Sequence, residues 1–108
     1  HLAPFVTAIR SRPGIVRLGV EGGTRLTVRV EYAEQWDTIA FDVRADTPAR
    51  ELKREALARF APRGALAEDF VLKLRGFDVR AEDASLAAGG ARDGSTYLLC
   101  HRRRRPVR

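Results

Sequence analysis

A helix-start signal, Asp46-Thr47-Pro48, opens the stretch that most constrains this chain: the amphipathic run Ala49 to Phe60, with strand-like alternation on both sides. Asp46 or Thr47 can act as N-cap by accepting a hydrogen bond from an open backbone N–H. Pro48 suits the first helical position, where its missing donor costs nothing. At 3.6 residues per turn, Ala49, Leu52, Ala56, Leu57 and Phe60 fall on one arc, while Arg50, Glu51, Arg54 and Glu55 lie opposite. Pro62 and Gly64 then stop the helix.

The flanking alternation supplies the sheet. Leu26, Val28, Val30 and Tyr32 share one face of a first strand beginning at Arg25. A short connection, Ala33-Glu34-Gln35, leads to a second strand with Ile39, Phe41 and Val43 inward. After the helix, Phe70 to Arg75 reads as a third strand with Leu72 and Leu74 inward. Gly76 turns into a brief fourth segment, Phe77-Asp78-Val79. Leu86 falls in a loop ending at the turn dipeptide Asp93-Gly94, and Ser95 to His101 closes the series. One helix on a mixed sheet of four to five strands, its first and last strands parallel in the middle, buries these faces economically. The expected fold class is therefore α+β, a β-grasp roll.

The N-terminal part is less regular. Phe5-Val6 and Ala8-Ile9 fit a short strand, Arg12-Pro13-Gly14 a turn and Ile15 to Val20 a partly ordered strand, before Gly22-Gly23 breaks the pattern. Residues 1–24 read as an extension, either a hairpin docked on the domain or a lead-in to it. The domain proper is 25–101, and 102–108 is a basic tail or linker.

On these stretches the chain resembles the ubiquitin-like superfamily over about residues 25–104. Asp46-Thr47-Pro48 looks like the family's helix entry and Leu52-Lys53 like its apolar-lysine pair. Phe70 to Val79 looks like its third strand, glycine turn and short fourth strand, and Asp93 to Leu99 like the turn into its last strand. The scaffold carries many unrelated roles. Ubiquitin and the small sulfur carriers of this fold end in a Gly-Gly that becomes activated. Arg102-Arg103-Arg104-Arg105-Pro106 stands in that place here, so the reading is a domain that is not conjugated. The family's apolar docking patch on the third and last strands corresponds to Lys73 beside Leu98 and Cys100, a charge where an apolar group is usual. A second similarity, from Gly94 to Pro106, is to the front lobe of talin-type FERM heads. Such lobes and Ras-association domains are implied to bind small GTPases, whose edge strand adds beside strand two.

Length, 108 residues, suits one domain. No apolar run approaches the roughly 20 residues of a membrane span, and the start does not read as a signal peptide. A single cysteine, Cys100, makes no internal bridge and fits a reducing compartment, cytoplasm or nucleus. The start at His1 and the lack of methionine read as a piece of a longer intracellular protein. Net charge is +6, but Arg102, Arg103, Arg104, Arg105 and Arg108 supply five of those charges. Residues 1–101 carry 15 Lys/Arg against 14 Asp/Glu. The body is near neutral, and a monomer is expected.

Catalytic chemistry finds little to work with. Cys100 and His101 are neighbours in a strand, so their side chains point to opposite faces and form no thiolate–imidazole pair. No cluster has metal-ligand spacing, and Gly22-Gly23 and Gly89-Gly90 lack phosphate-loop or dinucleotide signatures. The chain reads as non-enzymatic and without cofactor. Lys53 lies within the helix's apolar arc. Its stem can cover core while the ammonium reaches solvent, or it can form a shielded ion pair with a carboxylate such as Asp69 or Asp83. Arg25, Arg29, Arg44 and Arg50, if strand two is a free edge, can steer an acidic partner such as a small GTPase; the plainer reading is a solvated surface. Arg102–Arg105 can be a linker, a nucleic-acid or nuclear-import patch, or a contact for anionic membrane or protein. The sequence-level function is thus a non-covalent protein-interaction module, with Lys73, Leu98 and Cys100 on its candidate face.

Overall fold

The structure, a computed structural model, describes residues 10–62 and 66–102, the first four of them by backbone alone. The helix α1 (Ala49–Phe60) spans the amphipathic run, with Ala49, Leu52, Ala56 and Phe60 buried. A large side chain such as Leu52 contributes about 1.5–3 kcal/mol through such burial. At its start the capping differs from expectation. Pro48 is itself the N-cap, and no side chain caps the helix. The N–H groups of Ala49 and Arg50 instead donate to the backbone carbonyls of Ala84 and Glu82, at 3.1 and 2.9 Å. A loop distant in sequence does the work assigned to Asp46 or Thr47. At the other end Ala61 turns left-handed (φ 46°) and donates to Leu57 O at 2.7 Å.

Six strands make one mixed sheet: β1 (Arg10–Arg17), β2 (Arg25–Tyr32), β3 (Asp37–Arg44), β4 (Phe70–Leu74), β5 (Phe77–Asp78) and β6 (Thr96–His101), in the order β1-β3-β2-β6-β4-β5. The central pair, β2 and β6, runs parallel, as a β-grasp requires. Val28, Val30, Tyr32, Ile39, Phe41, Val43, Leu72, Leu74 and Leu99 bury the face that packs on α1. No helix among the described residues is long and apolar enough to cross a membrane.

The N-terminal extension is where expectation and structure part. A strand forms, but over Arg10–Arg17 rather than Ile15–Val20, and it lies parallel to β3 as a sixth strand. The expected turn Arg12-Pro13-Gly14 is inside it. Register passes from Ser11 opposite Thr38 to Ile15 opposite Ala40, so β1 carries two more residues than β3 between those pairs. Gly14, at φ 84°, and proline, which has no N–H to give a ladder, suit such an irregularity on an edge strand. The segments Phe5-Val6 and Ala8-Ile9 lie outside the described residues.

Candidate functional site

The four arginines expected to steer a partner are separated by the fold. Arg25 is turned inward as a latch. Its Nε donates to Asp42 Oδ1 at 2.7 Å, one Nη to Val20 O at 2.7 Å, and the other to Leu18 O at 2.6 Å and Asp42 O at 3.0 Å. Arg44 donates to both Asp46 carboxylate oxygens (3.0 and 2.9 Å) and to Gly22 O at 3.4 Å. That bond holds the Asp46 carboxyl below the usual carboxylate range. Both guanidiniums tie the crossover 18–24 down across the end of β3, between β1 and β2. Arg50, on α1, pairs with Asp83. Arg29 is exposed on the sheet's outer face. Strand two, here β3, is no free edge: β1 lies along it on one side and β2 on the other. The first tail residue, Arg102, is also engaged, donating to Glu68 O at 2.7 Å and lying 3.7 Å from Glu82. Arg103, Arg104 and Arg105 lie outside the described residues.

Lys53 takes the shielded carboxylate pair rather than the solvent-reaching reading, but its partner is Glu82 and not Asp69 or Asp83. It is 2 % exposed, and its Nζ donates to Phe70 O at 3.0 Å and to Glu82 Oε2 at 2.8 Å. A carboxylate on the helix-capping loop completes a shielded pair, fastening α1 to β4 and to residues 80–86 at once.

Lys73, Leu98 and Cys100 do come together on the outer face. Register places Thr38, Glu31, Leu98, Lys73 and Asp78 in one row across five strands. Leu98 is 40 % exposed in the middle of that row, and Lys73 sits 3.9 Å from Asp78. The neighbouring row pairs Val71, buried, with Cys100, half-buried. Burial pushes the Cys100 thiol up, against a smaller lowering from Lys73, so it stays protonated at neutral pH. His101 stacks on Phe70 with ring centroids 4.2 Å apart, and its Nε2 lies 3.8 Å from Glu34. The imidazole therefore covers the core's end rather than meeting the thiol. Val71, Lys73, Asp78, His101 and Arg102 line a shallow groove of about 600 Å³ beside Leu98.

Two features escaped the sequence reading. Trp36 is exposed and left-handed (φ 51°) after the 3-10 turn Ala33–Gln35, a rare conformation for a bulky residue. A second cavity lies under the β4–β5 turn, walled by residues from four separate stretches of chain, which no local spacing announces.

No family model matches this chain, and no curated protein matches it in sequence. Solved structures do match in shape. The ubiquitin of Caldiarchaeum subterraneum superposes with a TM-score of 0.63 at 14% identity, over 74% of this chain and 96% of that one. The N-terminal ubiquitin-like domain of the 4931431F19Rik protein gives 0.61 at 23% identity, over 84% and 93%. A ubiquitin-like domain of an Arabidopsis thaliana protein gives 0.60 at 12% identity, over 79% and 85%. At these identities the likeness speaks to fold, and the fold is the ubiquitin-like β-grasp.

Proposed function

We propose that this ubiquitin-like domain is a non-covalent protein-interaction module that works by binding rather than turnover, through the outer face of β6 and β4. The observation that carries the reading is Leu98. It is an exposed leucine at the centre of a charged row, beside a groove floored by Val71 and edged by Lys73, His101 and Arg102. An apolar centre within a polar rim is the anatomy of a recognition surface. Lys73 sets its specificity, since a partner must offer a carboxylate or carbonyl there or leave the ammonium desolvated with only the 3.9 Å Asp78 contact to offset it. A photo-crosslinking residue at position 98 should give a discrete adduct in cell extract. Excess unmodified chain should compete the adduct away, and excess Lys73→Glu chain should not. Absence of any competable adduct would overturn the reading.

The small-GTPase alternative has β1 against it, because an incoming strand must displace β1 or add outside it, and Arg25 and Arg44 already have partners. A GTP-loaded Ras-type protein that leaves the β3 amides unshifted removes it. The anionic-tether alternative predicts that acidic-vesicle or RNA binding disappears on deletion of residues 102–108.

A further inference from the structure

The cavity under the β4–β5 turn has a volume of about 310 Å³, at the small end of ligand sites. Its floor is Leu74, Leu86 and Tyr97, and its rim carries Phe77, Arg75 and Arg80. Three observations converge on it. Tyr97 is 1 % exposed, yet its hydroxyl makes no hydrogen bond among the described residues, whereas the other tyrosine, Tyr32, donates to Glu34 at 3.0 Å. Among the described residues no side-chain oxygen is sealed away without a partner, so the Tyr97 hydroxyl opens onto the cavity it lines. A hydroxyl that opens into a cavity without a protein partner is free to donate to a ligand acceptor there.

The second observation is Arg75. It adopts φ 53°, in the left-handed region that side chains with a Cβ seldom occupy, and its guanidinium donates to Gly90 O at 3.1 Å. A Cβ on Gly90 would stand 2.9 Å from that guanidinium, so glycine leaves room for the charge at the rim. Its positive field reaches Tyr97, opposing the rise that burial gives the phenol.

The third is charge. Neither Arg75 nor Arg80 forms an ion pair with a carboxylate among the described residues, a state shared with Arg29 and Arg92, whereas Arg17, Arg25, Arg44, Arg50, Arg54, Arg59 and Arg102 all do. Asp78 is the one carboxylate lining the cavity, and it faces Lys73. Phe77, 76 % exposed, adds an apolar lip.

We propose that this cavity is a binding site for an organic carboxylate on a single compact apolar body, the anion held between Arg75 and Arg80, its oxygen accepting from the Tyr97 hydroxyl, and the body resting on Leu74, Leu86 and Phe77. The site shares Asp78 with the groove beside Leu98 but opens elsewhere and does not depend on the Leu98 face. The anion can come from a free small acid or from the C-terminal residue of a peptide.

Titration of the isotopically labelled chain with 3-phenylpropionate should shift the Phe77, Leu86 and Gly90 amides saturably. 3-Phenylpropanol, the same body without the charge, should bind at least tenfold more weakly. Arg75→Ala should cost about tenfold in affinity, as for one charge-assisted hydrogen bond. Tyr97→Phe should cost several-fold while leaving the unfolding midpoint unchanged or higher, which a structural hydroxyl would not allow. Gly-Gly-Phe binding more tightly than phenylpropionate assigns the anion to a peptide C-terminus, and weaker binding assigns it to a free acid. No saturable shift, equal binding of the alcohol, or full affinity in both variants overturns the proposal.

Discussion

Lys53 shows how one residue binds three elements. Desolvating an ammonium costs several kcal/mol, and the two bonds to Phe70 O and Glu82 offset it. Lys53→Met keeps the stem and removes both donations. Glu82 is 18 % exposed and keeps Arg102 nearby, so the loss should be about 2 kcal/mol, below the 3–5 kcal/mol typical of a fully buried broken pair. Lys53→Met with Glu82→Gln should recover about half of that in urea unfolding; an unchanged loss would place the cost in the Phe70 carbonyl instead. The tyrosines make a second test at this scale. Burial, then the Glu34 bond, pushes Tyr32 up to about 12, and burial pushes Tyr97 up to about 12 against Arg75. A phenol raised above its unfolded value of about 10 adds stability that is whole below that pH and lost as pH climbs toward the folded value. Phenolate absorbance and loss of circular dichroism should therefore rise together between about pH 10 and 12. Ionisation near 10 in a still-folded chain would contradict the burial of both rings.

At the scale of elements, the latch on β1 is the point of interest. Arg25 makes four donations to residues 18–20 and 42, and Leu18 N donates to Asp42 O at 2.8 Å beside them. Arg25→Ala should cost about 2 kcal/mol. The loss should fall unevenly: exchange of the Leu18 and β1 amides should speed at least tenfold more than exchange of the β6 amides, because an edge strand can open below the global transition. Equal acceleration across the sheet would mean that β1 is no separate unit. Helix α1 shows the same dependence, since its first N–H groups rest on carbonyls from residues 82–84.

For the whole molecule, what matters is how the sheet ends. One edge is β5, only two residues long, and the other is β1, broken by its irregularity at Gly14. Short or interrupted edges discourage strand addition by another chain. Deleting residues 1–17 would bare β3 from Asp37 to Asp42. Sedimentation should then show association that grows with concentration in the truncated chain and a single small species in the intact one. A truncated chain that stays monomeric would show that β1 does not guard that edge.

The helix and the five strands of the grasp were legible because their burial follows local periods. Leu52, Ala56 and Phe60 recur at helical spacing, and Val28, Val30, Phe41, Val43, Leu72 and Leu74 alternate, so each segment declared its inner face before any partner was known. The joint exposure of Lys73 and Leu98 followed from the same alternation. What the tertiary structure alone decided are the pairings of polar groups across long stretches of chain. Arg25 with Leu18 and Asp42, Lys53 with Glu82, the helix start with Ala84, and Tyr97 with a cavity rimmed by Arg75 have no period to announce them. A charged side chain looks the same in sequence whether it meets water or a carbonyl 17 residues away, and only packing fixes which it meets.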